Sequence, residues 1–291
     1  MVLWAARVQI PHPAPQTVDT IKKFVKFCKI DLQLAPATAY GHKLKLRKFF
    51  KAVSKNPQTI TAEDIRGYLS SLKGVSAFTY ANYLKALKVF FRDFMRMEHV
   101  VKSFKFPNHP FKIKTIPTRQ QLRKFYDALA KPKDKAVFMM YASSGLRKAE
   151  ILSLTLDNID FEKRMITPNN HTGNTKKSWV SFYNEEAEEV LNEYLQTRRR
   201  RSDKVYPYQR LAFTRMWQAA ERICGVHIRP QVLRNWFCNE MANLGVQDRY
   251  VDALCGRTPK SVLARHYTDF SPEKLKRIYD KANLRILANT S

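Results

Sequence analysis

Ser144-Gly145-Leu146-Arg147-Lys148-Ala149-Glu150-Ile151-Leu152-Ser153-Leu154 is the most informative stretch of this 291-residue chain. It closes an uncharged run, residues 136–146, that is far too short to span a bilayer. Taken alone, Arg147 and Glu150 stand one helical turn apart, and the ordinary reading of such a pair is an ion pair on a helix surface. Whether the arginine does more depends on what the rest of the chain supplies.

To the N-terminal side, Pro11, Pro13 and Pro15 make residues 1–15 an extended arm. Four helical patterns fill residues 16–100. Ile21, Phe24, Val25 and Cys28 share one helical face, and Tyr40, Leu44 and Phe50 stand among lysines after Pro36. Thr61-Ala62-Glu63-Asp64, close to a capping box, opens a third helix to Leu72. The fourth, residues 76–97, carries Tyr83, Leu87, Phe90, Phe91 and Phe94. Together they predict a compact helical domain with basic outer faces. Residues 101–117 hold Pro107, Pro110 and Pro117 among lysines, lack a helical period, and read as a basic linker.

Residues 118–291 make the second predicted domain. Thr118 caps a helix to about Leu129. Short β-like runs at 164–167 and 179–182 flank turn residues (Asn169, Asn170, His171, Thr172, Gly173, Asn174) that lead into Lys176 and Lys177. The pattern is helical again from Asn184, and Ser271-Pro272-Glu273 opens a last helix to about Leu287. The expected class is mainly α, with a small antiparallel β-hairpin in an α-rich second domain.

Lysine and arginine number 52 against 25 acidic residues, a net charge of +27. Residues 1–100 carry 17 basic and 6 acidic side chains, and residues 101–291 carry 35 and 19, so no basic tail explains the excess. Charge of this kind argues against a neutral metabolic enzyme. It fits a polyphosphate partner, because each cation docked on a phosphate releases a condensed counterion. A basic protein without such a partner is the duller alternative.

Other chemistries lack their residues. Seven histidines show no HxxxH or HExxH spacing, and no carboxylates cluster for two-metal hydrolysis, so no metal is expected. With eight glycines there is neither a P-loop nor GxGxxG, so no nucleotide cofactor is expected. Cys28, Cys224, Cys238 and Cys255 form no CxxC pair and read as free thiols of an intracellular protein, and no secretory signal or membrane span is visible. The supply of arginine, lysine and tyrosine suits metal-free attack on a phosphate.

Four ordered motifs give that chemistry a shape. Gly145-Leu146-Arg147-Lys148-Ala149-Glu150 resembles the first arginine box, G-L-R-x-x-E, of the tyrosine recombinases (phage-type integrases). Pro230-Gln231-Val232-Leu233-Arg234 lies where that family has H-x-L-R, Leu254-Cys255-Gly256-Arg257 resembles its L-G-H box, and His266-Tyr267-Thr268 falls at its nucleophile. With Gln231 and Arg257 replacing two histidines, the chain looks most like the archaeal branch of virus and plasmid integrases.

The resemblance implies roles. Tyr267 would attack the scissile phosphate, leaving a 3′-phosphotyrosine and a free 5′-hydroxyl, with Arg147, Arg234 and Arg257 on the non-bridging oxygens. Lys176 would protonate the leaving oxygen, with Lys177 the less favoured candidate. Gln231 takes no proton at neutral pH, so water or the phosphate itself would accept the tyrosine proton; His266 would face about 100° away on a helix. The covalent bond conserves the energy of the broken one, so ligation needs no metal or ATP. The resemblance also implies duplex attachment-site DNA as partner, a tetramer on two paired sites, a last helix docked on a neighbouring protomer, and integration or excision of a viral or plasmid genome. The alternatives are a type IB-like topoisomerase using the same tyrosine and an inactive architectural DNA-binding protein. Each residue also has a dull reading: Tyr267 is one of thirteen tyrosines, and Arg257 after Gly256 suits a helix C-terminus.

Overall fold

The computed structural model describes residues 15–108, 113–168, 179–199, 202–257 and 261–287. By its internal contacts the chain divides into two units, Met1–Ile113 and Lys114–Ser291. The expected arm lies outside the described residues except for Pro15, which opens a helix.

In the first unit, proline starts α1 (Pro15–Ile30) and α2 (Pro36–Val53), where its fixed φ and missing N–H cost nothing. Thr61 caps α3 (Ala62–Ser71) reciprocally: its hydroxyl accepts the Asp64 N–H, and the Asp64 carboxylate accepts the Thr61 N–H at 2.9 Å. α4 (Ala77–Lys88) does not run on as one regular helix to 97. It widens into a π-helical stretch, Val89–Phe94, closed by the Met95 N–H on the Phe90 carbonyl. Phe90 and Phe91, though adjacent, are both fully buried there. They meet the other helices edge to face: Phe24–Phe90 at 5.1 Å and 74°, Phe50–Phe90 at 5.5 Å and 71°, Phe49–Phe91 at 6.0 Å and 82°. Each such pair adds about 0.5–1.5 kcal/mol beyond burial. Val100 and Val101 are buried in this core and Phe104 packs against it.

The second unit is organised around one helix. α5 (Arg119–Asp127) opens with a Thr118–Gln121 capping box. α6 (Pro132–Ser144) is buried continuously from Ala136 to Ser144, as a helix apolar on every side must be. Its two buried serine hydroxyls are satisfied within the helix, Ser143 donating to the Met139 carbonyl and Ser144 to that of Met140. α7 (Lys148–Ser153) follows, then a three-stranded antiparallel sheet: β1 (Ile159–Asp160), β2 (Met165–Ile166) and β3 (Ser181–Phe182), in that order. Ile166 faces both Ile159 and Ser181. Strand β1 has no counterpart in the sequence reading, because two residues are too few for alternation to show.

The remaining helices are α8 (Glu185–Thr197), α9 (Arg210–Cys224), α10 (Pro230–Asn243), α11 (Asp248–Leu254), α12 (Val262–His266) and α13 (Pro272–Ala282). α8 and α10 flank α6. α13 ends at Asn283, whose left-handed φ of 47° terminates it before the expected Leu287. Leu275, Tyr279 and Ala282, spaced along one face, are buried in the helix's own unit, and the Tyr279 hydroxyl donates to the Ser143 carbonyl at 2.8 Å. Beyond it, the Leu284 carbonyl accepts from the Asn184 amide. The Ile286 and Leu287 N–H groups donate to the Glu186 carboxylate at 2.6 and 3.0 Å. Among the described residues no helix is long and apolar enough to cross a membrane.

Candidate active site

The turn after α6 sets the first arginine. Gly145 has φ +62°, and a Cβ there would lie 2.3 Å from the Phe237 ring, so only glycine fits both the turn and the close approach of α10. Arg147 then stands as the cap residue before α7. Its N–H and one guanidinium nitrogen reach the two Glu150 carboxylate oxygens at 2.6 and 2.7 Å. The ordinary ion pair is therefore present. The same guanidinium also donates across 109 positions to the Gly256 carbonyl, at 2.9 Å.

Arg234 projects from α10 with only 4% of the residue exposed. It donates to the Gly145 carbonyl at 2.7 Å and to the Cys255 carbonyl. Burial, and then the nearby charge of Arg147, hold its pKa below the usual arginine value, opposed by Cys255. Among the described residues no carboxylate lies within ion-pair distance of it. Arg257 follows Gly256 directly, pairs with Asp252 at 2.6 Å and donates to the Cys238 sulfur at 3.3 Å. Residues 255–257 thus gather all three arginines, two through backbone carbonyls and the third by position.

Gln231 lies exposed on the first turn of α10, three residues before Arg234. Tyr267 caps α12, its N–H on the Leu263 carbonyl at 3.0 Å, with 78% of the residue exposed. His266 beside it is exposed as well. Lys176 and Lys177 lie outside the described residues. The strands on either side of them are placed: β3 is fixed to the end of α6 by the Ser181 hydroxyl, which donates to the Ser144 carbonyl at 2.6 Å.

Sequence reasoning missed the anchors. Asp252, Cys238 and the carbonyls of Gly145, Cys255 and Gly256 hold the guanidiniums in place. Of these, only the spacing of Cys238, one helical turn beyond Arg234 on α10, gave a signal in the sequence. No group of three or more His, Cys, Asp or Glu among the described residues could hold a metal ion.

Known proteins fit this arrangement. A model of the phage integrase family matches residues 117–274, and one of the phage integrase N-terminal SAM-like domain matches residues 18–99. Tyrosine recombinase XerD of Haemophilus influenzae is 26% identical over 288 residues, covering 88% of this chain and 95% of that protein. Tyrosine recombinase XerA of Saccharolobus solfataricus is 24% identical over 251 residues, covering 81% and 84%. Among solved structures, the Tn1549 transposon integrase in complex with transposon right-end DNA superposes with a TM-score of 0.65 at 16% identity, over 89% of this chain and 98% of that one. The lambda integrase dimer bound to a COC′ core site gives a TM-score of 0.65 at 12% identity, over 88% and 80%. The mainly helical fold with its small antiparallel sheet is that of these structures. With both parts of the chain matched in order, and the motif arginines gathered at one turn, the chain belongs to the phage integrase family, the tyrosine recombinases, and is a site-specific DNA recombinase.

Proposed function

We propose that this recombinase breaks and rejoins duplex DNA with Tyr267 as nucleophile, through a 3′-phosphotyrosine, and with Arg147, Arg234 and Arg257 on the non-bridging oxygens. One observation carries the reading: Arg234 is a buried guanidinium bonded to carbonyls, with no carboxylate in ion-pair distance among the described residues. A buried cation left without a counter-anion is costly, and an incoming phosphodiester supplies one. Its charge grows as the pentacoordinate transition state forms, so donors fixed beforehand stabilise that state more than the ground state. Arg147 and Arg257 already have carboxylate partners, which hold the planes of their guanidiniums.

The proton balance follows from the same residues. The Tyr267 oxygen gives its proton to water or to the phosphate, since Gln231 accepts none. Lys176, or failing it Lys177, returns a proton to the leaving 5′-oxygen. Attack of that hydroxyl on the phosphotyrosine reverses the sequence on a new strand. In our reading the first unit and the catalytic unit, 118–291, both bind the duplex of an attachment site. Four copies work on two paired sites inside the cell, and the element moved is a viral or plasmid genome.

The test is a covalent-adduct assay on supercoiled DNA carrying the source element's attachment site, without metal and stopped in detergent. The wild-type chain is expected to form a protein–DNA adduct and Tyr267→Phe none. Adduct persisting in that variant would remove Tyr267 from the role. Tight binding with no adduct in either would favour the architectural alternative.

A further inference from the structure

The arginine cluster contains a second pair of reactive groups. Cys238 on α10 and Cys255 at the end of α11 lie with their sulfurs 3.3 Å apart, within reach of the roughly 2 Å of a disulfide after a small closure. Both are free thiols. Cys238 is part-buried beside an Arg257 side chain that is 43% exposed, so a small solute reaches it; Cys255 is fully buried behind it.

We propose that Cys238 and Cys255 form a peroxide-oxidation site whose disulfide switches the recombinase off, reversibly. The regulatory half rests on the catalytic role given to the arginines above. In the first step the Cys238 thiolate attacks a peroxide O–O bond, taking one oxygen as sulfenic acid and releasing hydroxide. The Cys255 thiol, losing its proton, then attacks the Cys238 sulfur. The S–O bond breaks, water leaves, and the disulfide forms. The peroxide is the oxidant and is reduced by two electrons; the two thiols lose two hydrogens between them.

The surroundings favour Cys238 as the attacking sulfur. The Cys255 thiol hydrogen-bonded to it, and then the charges of Arg257 and Arg234, pull its pKa below the ordinary thiol range, against burial. Cys28, in the other unit, is instead pushed up to about 11, by burial and then by Asp93.

Closure acts on the site in two ways. Arg257 donates to the Cys238 sulfur, and a disulfide sulfur carries no negative charge to hold it. Drawing the sulfurs together also moves the turn whose Cys255 and Gly256 carbonyls fix Arg234 and Arg147. A shift of about 1 Å in such groups costs on the order of 100-fold in rate.

The experiment treats the full chain with hydrogen peroxide. One portion is digested without reductant for peptide mass mapping, and the other is assayed for adduct on attachment-site DNA. The expected result is a linked peptide pair containing Cys238 and Cys255, two hydrogens lighter. Adduct formation should fall by about 100-fold and be restored by dithiothreitol. In Cys255→Ser the ratio of treated to dithiothreitol-rescued activity should show no disulfide-dependent loss. Absence of the linked peptide overturns the proposal, and so does a linked peptide with undiminished adduct formation. Mapping needs no activity, so a reduced chain that fails to cleave would count against Tyr267 and its arginines while the oxidation site is still decided.

Discussion

Arg234 and Gly145 show what a single position contributes. Arg234→Lys keeps the charge but loses the planar fork that holds two carbonyls at once. Single-turnover cleavage of attachment-site DNA is expected to slow by about 100- to 1000-fold, with DNA affinity much less affected. Gly145→Ala meets a left-handed φ and the Phe237 ring together, so urea denaturation should show a loss of about 2–4 kcal/mol. The arginines were legible because four motifs stand in order; any one of them, Arg147 beside Glu150 included, would have passed for surface chemistry. Their anchors were not legible, since a carbonyl is present at every residue and only the fold decides which ones turn inward. An alanine scan would be equally blind to the carbonyl of Cys255, because truncating that side chain leaves the backbone acceptor in place.

At the scale of elements, the caps and periodic faces were readable and the irregular pieces were not. Thr61 and Thr118 announce α3 and α5 through side chains that must reach a particular backbone N–H. The π-helical stretch at Val89–Phe94 carries no such marker: its cause is tertiary, two adjacent phenylalanines both drawn into one core. The last helix gives the sharpest contrast. Its start was set by Ser271 and Pro272, but its partner depends on where Tyr279 finds a carbonyl, and that is the end of α6. The segment beyond it hangs on Glu186, which accepts two backbone N–H groups. Glu186→Ala is therefore expected to cost about 1–3 kcal/mol. Amide exchange at Ile286 and Leu287 should accelerate, while exchange in α6 stays slow.

For the whole molecule, the charge of +27 was the plainest signal in the sequence, and it has the plainest consequence. Duplex binding should weaken steeply with salt, by about 10³- to 10⁵-fold between 50 and 200 mM if 6–10 phosphates are contacted. Fluorescence anisotropy on a labelled duplex measures it, and a shallow slope would mean that few of those cations meet phosphate. The site itself is assembled from distant parts of the chain. Arg147 takes a carbonyl at Gly256, Arg234 takes one at Gly145, and Tyr279 closes on Ser143 across 136 positions. Synthesis delivers these parts in order, so a ribosome that stalls before Gly256 leaves a fragment in which Arg147 keeps Glu150 but lacks the carbonyl that ties it to the later turn. A recombinase built in this way gathers its three arginines only once the far end of its second unit has been translated.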